Sequence, residues 1–356
     1  MNVFLIESPL QLLNALEAKY YYKLPKEKCD LLVLNGESPN TIKQIMGMVE
    51  QQDWNIVKKI GFGKGKLSWI TRMLGVKAQY KCYKSPDKVF IGDYRSDIMR
   101  DFVNTVVPNK TVLLDDGTVS LRINNMLSSE KERHAFFHNE NMGGLKRIIK
   151  RLAFLGKLPP QKHIEDLEFF TTYNIEHTLD YPVIKNNYTY LKTVSSDKQT
   201  KDEVWFLGSP LSEKGILEEK KYIEYLSKIV EYYKDFDRIV YIPHRAEDPA
   251  LLQSYGERGF DIIQTNVSIE FYLMKQEEVP SVIASFYSSA LGNLHNIFGE
   301  TMKIDSFRIE QQYLSTKNSS EIADIYNYYS KIIHVVDLKK YKMMLTPSIS
   351  EKQESR

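Results

Sequence analysis

The chain has 356 residues, 42% of them hydrophobic and 26% charged, and its formal net charge at pH 7 is +2. This composition indicates an ordinary globular protein of about two domains, and so small a net charge does not identify a partner. Two distant cysteines, Cys29 and Cys82, exclude a disulfide framework and a structural zinc site. The histidines show no HExxH motif, so a catalytic metal site is not predicted either.

The N-terminus leads from Met1 directly into an apolar segment, without a basic stretch or a small-residue cleavage site. No run approaches the roughly 18–20 apolar residues that a membrane-spanning helix requires. We therefore expect a cytoplasmic protein that is neither exported by a cleaved signal nor integral to the membrane.

The first part of the chain alternates between short apolar strands and helices. The predicted strands are Val3–Ile6, Leu31–Leu34, Asn55–Ile60, Lys88–Ile91 and Thr111–Leu114. The predicted helices are Pro9–Lys19, Thr41–Gln51, Leu67–Leu74 and Ser96–Thr105. Between Asn124 and Lys201 this alternation breaks, and we expect a domain junction near residues 185–200.

The alternation starts again in the second part. Predicted strands are Glu203–Leu207, Arg238–Ile242, Asp261–Gln264, Val282–Ser285 and Met302–Asp305. Predicted helices are Leu217–Tyr233, Asp248–Tyr255, Ile269–Lys275, Ser288–Phe298 and Ser319–Ile333. Two such arrays predict two doubly wound, Rossmann-like α/β domains that face a central cleft, at residues 1–190 and 200–310, with a C-terminal helix and flexible tail at 311–356.

Ligands of open α/β sheets bind beyond the carboxyl ends of the strands, and polar motifs occur at several predicted strand ends. Asp115-Asp116-Gly117 follows the strand Thr111–Leu114. A carboxylate there can act as a general base on a sugar hydroxyl. The pair could instead bind Mg²⁺, and Asp-Gly is also a common turn sequence.

In the second array, Pro243-His244-Arg245 follows the strand Arg238–Ile242. His244 is placed to donate a proton to a leaving phosphate whose charge Arg245 offsets, although a structural histidine fits the same position. Ser288 and Ser289 open a helix, where hydroxyls and free backbone N–H groups suit a phosphate but also serve as ordinary helix caps.

Two further residues are weaker candidates for substrate binding. Gly208 ends a strand, where the missing side chain allows a ligand or the opposite domain to approach, or simply allows a turn. Glu270 opens a helix and could accept hydrogen bonds from a ribose or a base, but an acidic residue in a first helical turn also favours the helix dipole.

The segment from Leu145 to Leu158 has the pattern of a basic amphipathic helix. Its apolar face carries leucines and isoleucines, and its basic residues are Lys146, Arg147, Lys150 and Arg151. We expect these four residues to contact an anionic membrane surface at the inner face of the plasma membrane, with a solvated surface helix as the alternative. No nucleic-acid-binding motif accompanies the segment, so a nucleic-acid partner is not expected.

Three motifs follow one another along the chain: an acidic pair before glycine, a histidine beside proline, and a serine pair before a helix. Their kind and order resemble those of the bacterial sialyltransferases. The segment Ser8-Pro9-Leu10-Gln11-Leu12-Leu13-Asn14-Ala15 is similar to the N-terminus of glycosyltransferase family 52. That family contains the lipooligosaccharide sialyltransferases and relatives in capsule synthesis. The resemblance covers roughly residues 1–310.

The resemblance implies a GT-B-type fold and inverting transfer from CMP-sialic acid to a glycan or glycolipid acceptor, without a metal or another cofactor. It implies Asp115 as general base, with Asp116 as the alternative, and His244 as general acid. Ser288 and Ser289 would hold the CMP phosphate, and Glu270 would lie near the nucleoside. Related families show His-Pro, whereas Pro243 precedes the histidine here.

Two other functions stay open at the level of sequence. One is a GT-B transferase with a different donor, such as a UDP-hexose. The other is a non-catalytic protein that binds phosphorylated sugars in a capsule-assembly complex. The sequence also leaves the oligomeric state open, a homodimer included.

Overall fold

The computed structural model of the chain describes residues 1–35, 39–50, 53–63, 65–117, 119–131, 133, 148, 163–175, 181–315 and 319–339. The chain forms two compact units. The first consists of Met1–Thr193 with Asn266–Phe271, and the second of Val194–Thr265 with Tyr272–Arg356. Each unit contains one sheet in which neighbouring strands are parallel. Within the described residues, no helix is both long enough and apolar enough to cross a membrane.

The first unit contains seven strands and six helices among its described residues. The strands are β1 (Asn2–Ile6), β2 (Cys29–Leu34), β3 (Ile56–Ile60), β4 (Lys88–Ile91), β5 (Lys110–Leu114), β6 (Leu167–Thr171) and β7 (Val183–Lys185). The helices are α1 (Pro9–Tyr21), α2 (Pro39–Met48), α3 (Gly65–Gln79), α4 (Asp97–Val106), α5 (Val119–Ser128) and α6 (Thr189–Ser195). The strand order is β3-β2-β1-β4-β5-β6-β7.

The second unit repeats this architecture with six strands. They are β8 (Gln199–Leu207), β9 (Arg238–Ile242), β10 (Asp261–Ile262), β11 (Glu278–Ser285), β12 (Lys303–Phe307) and β13 (His334–Val336), in the order β10-β9-β8-β11-β12-β13. The helices are α7 (Glu219–Tyr232), α8 (Pro249–Gly256), α9 (Ile269–Lys275), α10 (Ala290–Phe298) and α11 (Ser319–Tyr329). The chain passes from one unit to the other inside α6, between Thr265 and Asn266, and inside α9.

Both sheets are packed on their two faces, as expected for parallel strands joined by helices. Strands β1 and β2 are buried at every residue. In the first core the rings of Phe4 and Phe90 stack with their centroids 4.1 Å apart. In the second core Phe206 packs edge-on against Phe286, with centroids 5.3 Å apart. These apolar runs are the pattern from which the sequence predicts parallel strands.

The strand order places one switch point in each sheet. Successive strands extend in opposite directions from β1 and β4 in the first unit, and from β8 and β11 in the second. A crevice for ligands forms at the carboxyl ends of such neighbouring strands. Residues that follow β1, β4 and β5, or β8, β9 and β11, are therefore the ones placed to meet a ligand.

Most predicted elements are present, with shifted ends, but the region from 124 to 201 holds more structure than its sequence pattern predicts. Strands β6 and β7 and helix α6 lie there. The predicted basic helix Leu145–Leu158, with Lys146, Arg147, Lys150 and Arg151, falls outside the described residues except for Ile148, and so does the tail from Ser348.

Candidate active site

Asp115 lies at the end of β5 and is only 2% exposed. One carboxylate oxygen accepts a hydrogen bond from the Ser120 hydroxyl at 2.5 Å. The other accepts from the backbone N–H and the hydroxyl of Thr172, at 2.7 and 3.1 Å. Burial raises the pKa of Asp115, while these donors oppose the shift. This carboxylate joins the ends of β5 and β6 to α5, and its geometry is that of a structural group rather than of a base open to substrate.

Asp116, the next residue, is partly exposed and lies at the amino end of α1. Its carboxylate accepts a hydrogen bond from the Ser8 hydroxyl at 2.8 Å. Ser8 is also the N-cap of α1, since its oxygen accepts from the Gln11 backbone N–H at 3.2 Å. Burial raises the pKa of Asp116, and the bond from Ser8 opposes that shift. A carboxylate at the positive end of a helix is thus available at the switch point.

Four more charged side chains lie around Asp116. Asp93 lies at the end of β4 and forms a bidentate ion pair with Arg95. The Nε and Nη2 atoms of Arg95 lie 3.0 and 2.9 Å from the two carboxylate oxygens of Asp93. Glu7, at the end of β1, accepts from Arg72 at 3.1 Å. Burial raises the pKa of Glu7 to about 7, with Asp93 and Asp116 adding to the shift and Arg72 opposing it. The first switch point therefore carries three carboxylates and two guanidinium groups.

Helix α1 supplies a buried polar stripe that the apolar pattern of its sequence conceals. Gln11, Asn14 and Glu17 are buried, and with the N-cap Ser8 they recur every three residues. Asn14 donates to the backbone oxygen of Asp115 at 3.1 Å. Glu17 accepts from the backbone N–H of Leu191 at 2.6 Å, at the start of α6. The polar spacing 8-11-14-17 inside an apolar helix is the signal that could have indicated this role.

Two positions at these strand ends require glycine, one for its backbone conformation and one because a side chain would not fit. Gly117 has φ +65°, which other residues rarely adopt, so it turns the chain after the acidic pair. A Cβ on Gly92 would overlap the Gln11 side chain, which crosses the end of β4 and accepts the Glu7 N–H at 2.8 Å.

In the second unit, His244 is exposed and follows the end of β9. Its Nδ1 accepts the backbone N–H of Ala246 at 3.1 Å, so the neutral ring carries its proton on Nε2. Desolvation lowers the pKa of His244, and the charges of Arg245 and Lys214 lower it further. Arg245 is itself exposed beside the imidazole. The ring therefore presents an N–H donor at the sheet edge.

Glu247 fixes the loop that carries His244. One of its oxygens accepts from the His244 backbone N–H at 2.5 Å, and the other accepts from the Tyr241 and Tyr222 hydroxyls at 2.5 and 3.2 Å. Glu247 is 8% exposed, and burial raises its pKa. A Cβ on Gly208 would overlap both Glu247 and Tyr241. Gly208 therefore leaves space for side chains of its own unit. This packing explains the glycine without the predicted approach of a ligand.

Ser288 and Ser289 follow β11 and precede α10. Ser289 is exposed, and among the described residues no backbone N–H is capped by its side chain. The Ser288 hydroxyl oxygen accepts a hydrogen bond from the Ala290 N–H at 3.3 Å. The Ser288 carbonyl accepts one from the Tyr329 hydroxyl at 2.6 Å. Strands β9 and β11 are separated by one strand, so their ends lie about 10 Å apart. The serine pair and His244 therefore both follow carboxyl ends of strands in the same sheet.

Glu270 follows β10 and lies in the first turn of α9. It is 6% exposed and belongs to the segment Asn266–Phe271, which is part of the first unit, where its charge acts on buried Tyr188. Within the described residues, no group of three or more His, Cys, Asp or Glu side chains is arranged so that it could hold a metal ion.

The chain matches the model of glycosyltransferase family 52 over residues 26–310, most of its length. The chain belongs to this family. The family and the GT-B fold predicted from the sequence are therefore confirmed. No curated protein matches this family 52 glycosyltransferase in sequence.

Two solved structures share the fold of this family 52 glycosyltransferase at low sequence identity. One is an α/β-galactoside α-2,3-sialyltransferase from the luminous marine bacterium Photobacterium phosphoreum, with 9% identity and a TM-score of 0.50, covering 95% of this chain and 98% of that one. The other is the spinosyn forosaminyltransferase, with 11% identity and a TM-score of 0.50, covering 95% and 86%.

The raised pKa of Glu7 predicts that the glycosyltransferase loses stability as pH rises from 5 to 8. The folded protein keeps a proton up to about pH 7 that the unfolded chain releases near 4.5, so this contribution is complete below 4.5 and is lost as pH rises through 7. In Glu7→Gln, the decrease in the free energy of unfolding between pH 5 and 8 should be smaller by up to about 3 kcal/mol. Urea unfolding at several pH values measures it, with exposed Glu27→Gln as control. Parallel pH profiles for wild type and Glu7→Gln would contradict the prediction.

Gly208→Ala should destabilise the second unit by about 1–3 kcal/mol, because the new Cβ overlaps Glu247 and Tyr241. Gly256→Ala is the matched control. No atom lies within 4 Å of its new Cβ, and alanine favours a helix by up to about 1 kcal/mol. Calorimetry on the two variants measures the difference. Equal melting temperatures would show that Glu247 does not require the space at Gly208.

Proposed function

We propose that the protein is an inverting sialyltransferase that transfers sialic acid from CMP-sialic acid to a glycan acceptor, a lipooligosaccharide or a capsular polysaccharide. The observation that carries the proposal is the pairing of Asp116 with Ser8 at the first switch point, in a family 52 chain. A sialyltransferase among the proteins of similar fold supports the choice of donor.

The general base of this proposal is Asp116 rather than Asp115. A base must reach the acceptor hydroxyl, and Asp115 is buried with both oxygens occupied by protein donors. Asp116 is partly exposed and binds one hydroxyl. It takes the proton of the acceptor hydroxyl as that oxygen attacks the anomeric carbon of the donor. The raised pKa brings the carboxylate nearer to the pKa of an effective base.

The leaving group of the proposed reaction is CMP, which departs through an oxygen of its phosphate. The bond between the anomeric carbon and the phosphate oxygen breaks, and negative charge collects on that oxygen. The Nε2–H of His244 and the Ser288 and Ser289 hydroxyls can donate to the phosphate at one sheet edge. Because an anion raises the pKa of a neighbouring imidazole, donor binding would protonate His244 and make it an acid.

A nucleoside monophosphate leaving group carries fewer charges than a pyrophosphate, so hydrogen-bond donors can stabilise it without a metal. The chain does contain one Asp-x-Asp sequence, Asp235-Phe236-Asp237. It precedes β9 and therefore lies at the amino edge of that sheet, whereas His244 follows the carboxyl edge. We accordingly propose metal-independent transfer.

Replacing Asp116 tests the base. Asp116→Asn should lower kcat about 10²–10⁴-fold, the usual contribution of acid–base catalysis, without changing donor binding. Asp115→Asn, one residue away, should instead lower the melting temperature, because an amide cannot replace the carboxylate as acceptor for Ser120 and Thr172. Rates of CMP release and melting curves for both variants separate the two roles. A stable, inactive Asp115→Asn beside an active Asp116→Asn would reverse the assignment.

A nucleotide panel tests the donor. CMP at about 100 times its Kd should stabilise the protein by about 2.7 kcal/mol, whereas UDP should stabilise it less. Ser289→Ala should weaken CMP binding about 10–100-fold, as expected for the loss of a hydrogen bond to a charged group. Cytidine, which lacks the phosphate, should be unaffected by the substitution, and exposed Ser227→Ala is the control variant. A preference for UDP would favour a UDP-hexose donor, and indifference to every nucleotide would favour a non-catalytic protein.

A further inference from the structure

An edge of the first unit combines a strong positive charge with exposed apolar side chains. Residues 54–86 contain eight basic residues and no acidic one. The basic residues are Lys58, Lys59, Lys64, Lys66, Arg72, Lys77, Lys81 and Lys84. Lys58 and Lys59 lie on β3, an edge strand of its sheet, and Lys77 lies on α3, whereas Arg72 of α3 is paired with Glu7. In a chain with a net charge of +2, this stretch carries a large local excess of positive charge.

Helix α3 is apolar on two opposite sides. Trp69, Met73 and Val76 are buried at 9%, 3% and 1% exposure and pack into the core of the first unit. Leu67 and Leu74 are 51% and 45% exposed. At 3.6 residues per turn, these two leucines lie about 130–155° around the helix axis from the centre of the buried stripe. A helix of a water-exposed surface normally carries polar residues on that outer side, so the outer leucines require another explanation.

Phe62, which follows β3, extends this exposed apolar surface. It is 66% exposed, and its backbone is held by Thr71 of α3. The Thr71 hydroxyl accepts the Phe62 N–H at 2.9 Å and donates to the Phe62 oxygen at 2.7 Å. Phe62 and Leu74 line a shallow groove of about 640 Å³ together with Lys58 and Lys59. The backbone that carries this exposed ring is therefore tied to α3.

The lysines of β3 have one explanation that needs no ligand. Charged residues on an edge strand prevent pairing with the edge of another sheet. That role explains Lys58 and Lys59, but it does not explain why Phe62, Leu67 and Leu74 are exposed beside them. Scattered apolar residues are common on surfaces, whereas a contiguous group inside a basic rim is typical of a binding surface.

We propose that this surface, formed by Phe62, Leu67 and Leu74 with Lys58 and Lys59 of β3 and Lys77 of α3, binds a lipid bilayer that contains anionic headgroups. The apolar side chains enter the boundary between headgroups and acyl chains, and the lysines contact the phosphates around them. Nucleic acid would pair with the lysines but offers no apolar environment to the leucines. The proposal is independent of donor and acceptor chemistry and of the basic segment at Leu145–Leu158.

The three tryptophans of the chain make a direct test possible. Trp54, Trp69 and Trp205 are buried, at 2%, 9% and 6% exposure. A Phe62→Trp variant therefore adds a single exposed reporter. Brominated lipid in vesicles of phosphatidylcholine and phosphatidylglycerol should quench this tryptophan, and high salt should reverse the quenching. Tyr328→Trp, at a position 46% exposed in the second unit, is the matched control and should not be quenched.

A second variant tests the apolar contribution. Phe62→Ser combined with Leu67→Ser and Leu74→Ser should weaken sedimentation with these vesicles at least tenfold, an order of magnitude expected when three apolar side chains leave the interface. Exposed Val107→Ser is the control. The replaced side chains are exposed, so the melting temperature should not fall.

Several outcomes would overturn the proposal. They are equal binding to vesicles of phosphatidylcholine alone, unchanged binding by the triple variant, and binding of RNA but not of vesicles. A concentration-dependent dimer that the triple variant abolishes, without vesicle binding, would instead assign the surface to a second copy of the chain. Vesicle binding needs no turnover, so these results are independent of the proposed transferase activity.

Discussion

The hydrogen bonds of the buried Asp115 carboxylate fix the geometry on which the first switch point depends. They join the ends of β5 and β6 and the start of α5, and the backbone oxygen of the same residue binds Asn14 of α1. Because adjacent residues of an extended segment point in opposite directions, holding Asp115 inward turns Asp116 toward Ser8. The acidic pair thus combines one structural carboxylate with one that is open to chemistry.

The second unit uses a comparable arrangement for its histidine. Glu247 is buried and receives two tyrosine hydroxyls and the backbone N–H of His244. In each unit a buried carboxylate with several donors holds a more exposed ionisable residue at the end of a strand. Since such groups lose few degrees of freedom when a ligand binds, this arrangement favours electrostatic stabilisation of a transition state.

The exposed surface of α3 and β3 lies beside an outer strand of the first sheet, whereas the switch point lies between β1 and β4. Strand β3 is the edge strand, two strands away from β1. Lipid contact there would leave the carboxyl ends of β1, β4 and β5 free for substrate. The proposed chemistry and the proposed lipid contact therefore involve different strands of the sheet.

The sequence by itself determined the fold class and the family, because apolar strands and helix caps are local patterns and short motifs keep their order along the chain. It also placed the acidic pair, the histidine and the serines at strand ends, although their catalytic roles remain predictions. Tertiary structure alone decided that Asp115 is buried while Asp116 is partly exposed, that Glu270 belongs to the first unit, and that Gly208 accommodates Glu247. Burial, hydrogen-bond partners and steric overlap arise from residues far apart in sequence, such as Ser8 and Asp116, and no local pattern records them.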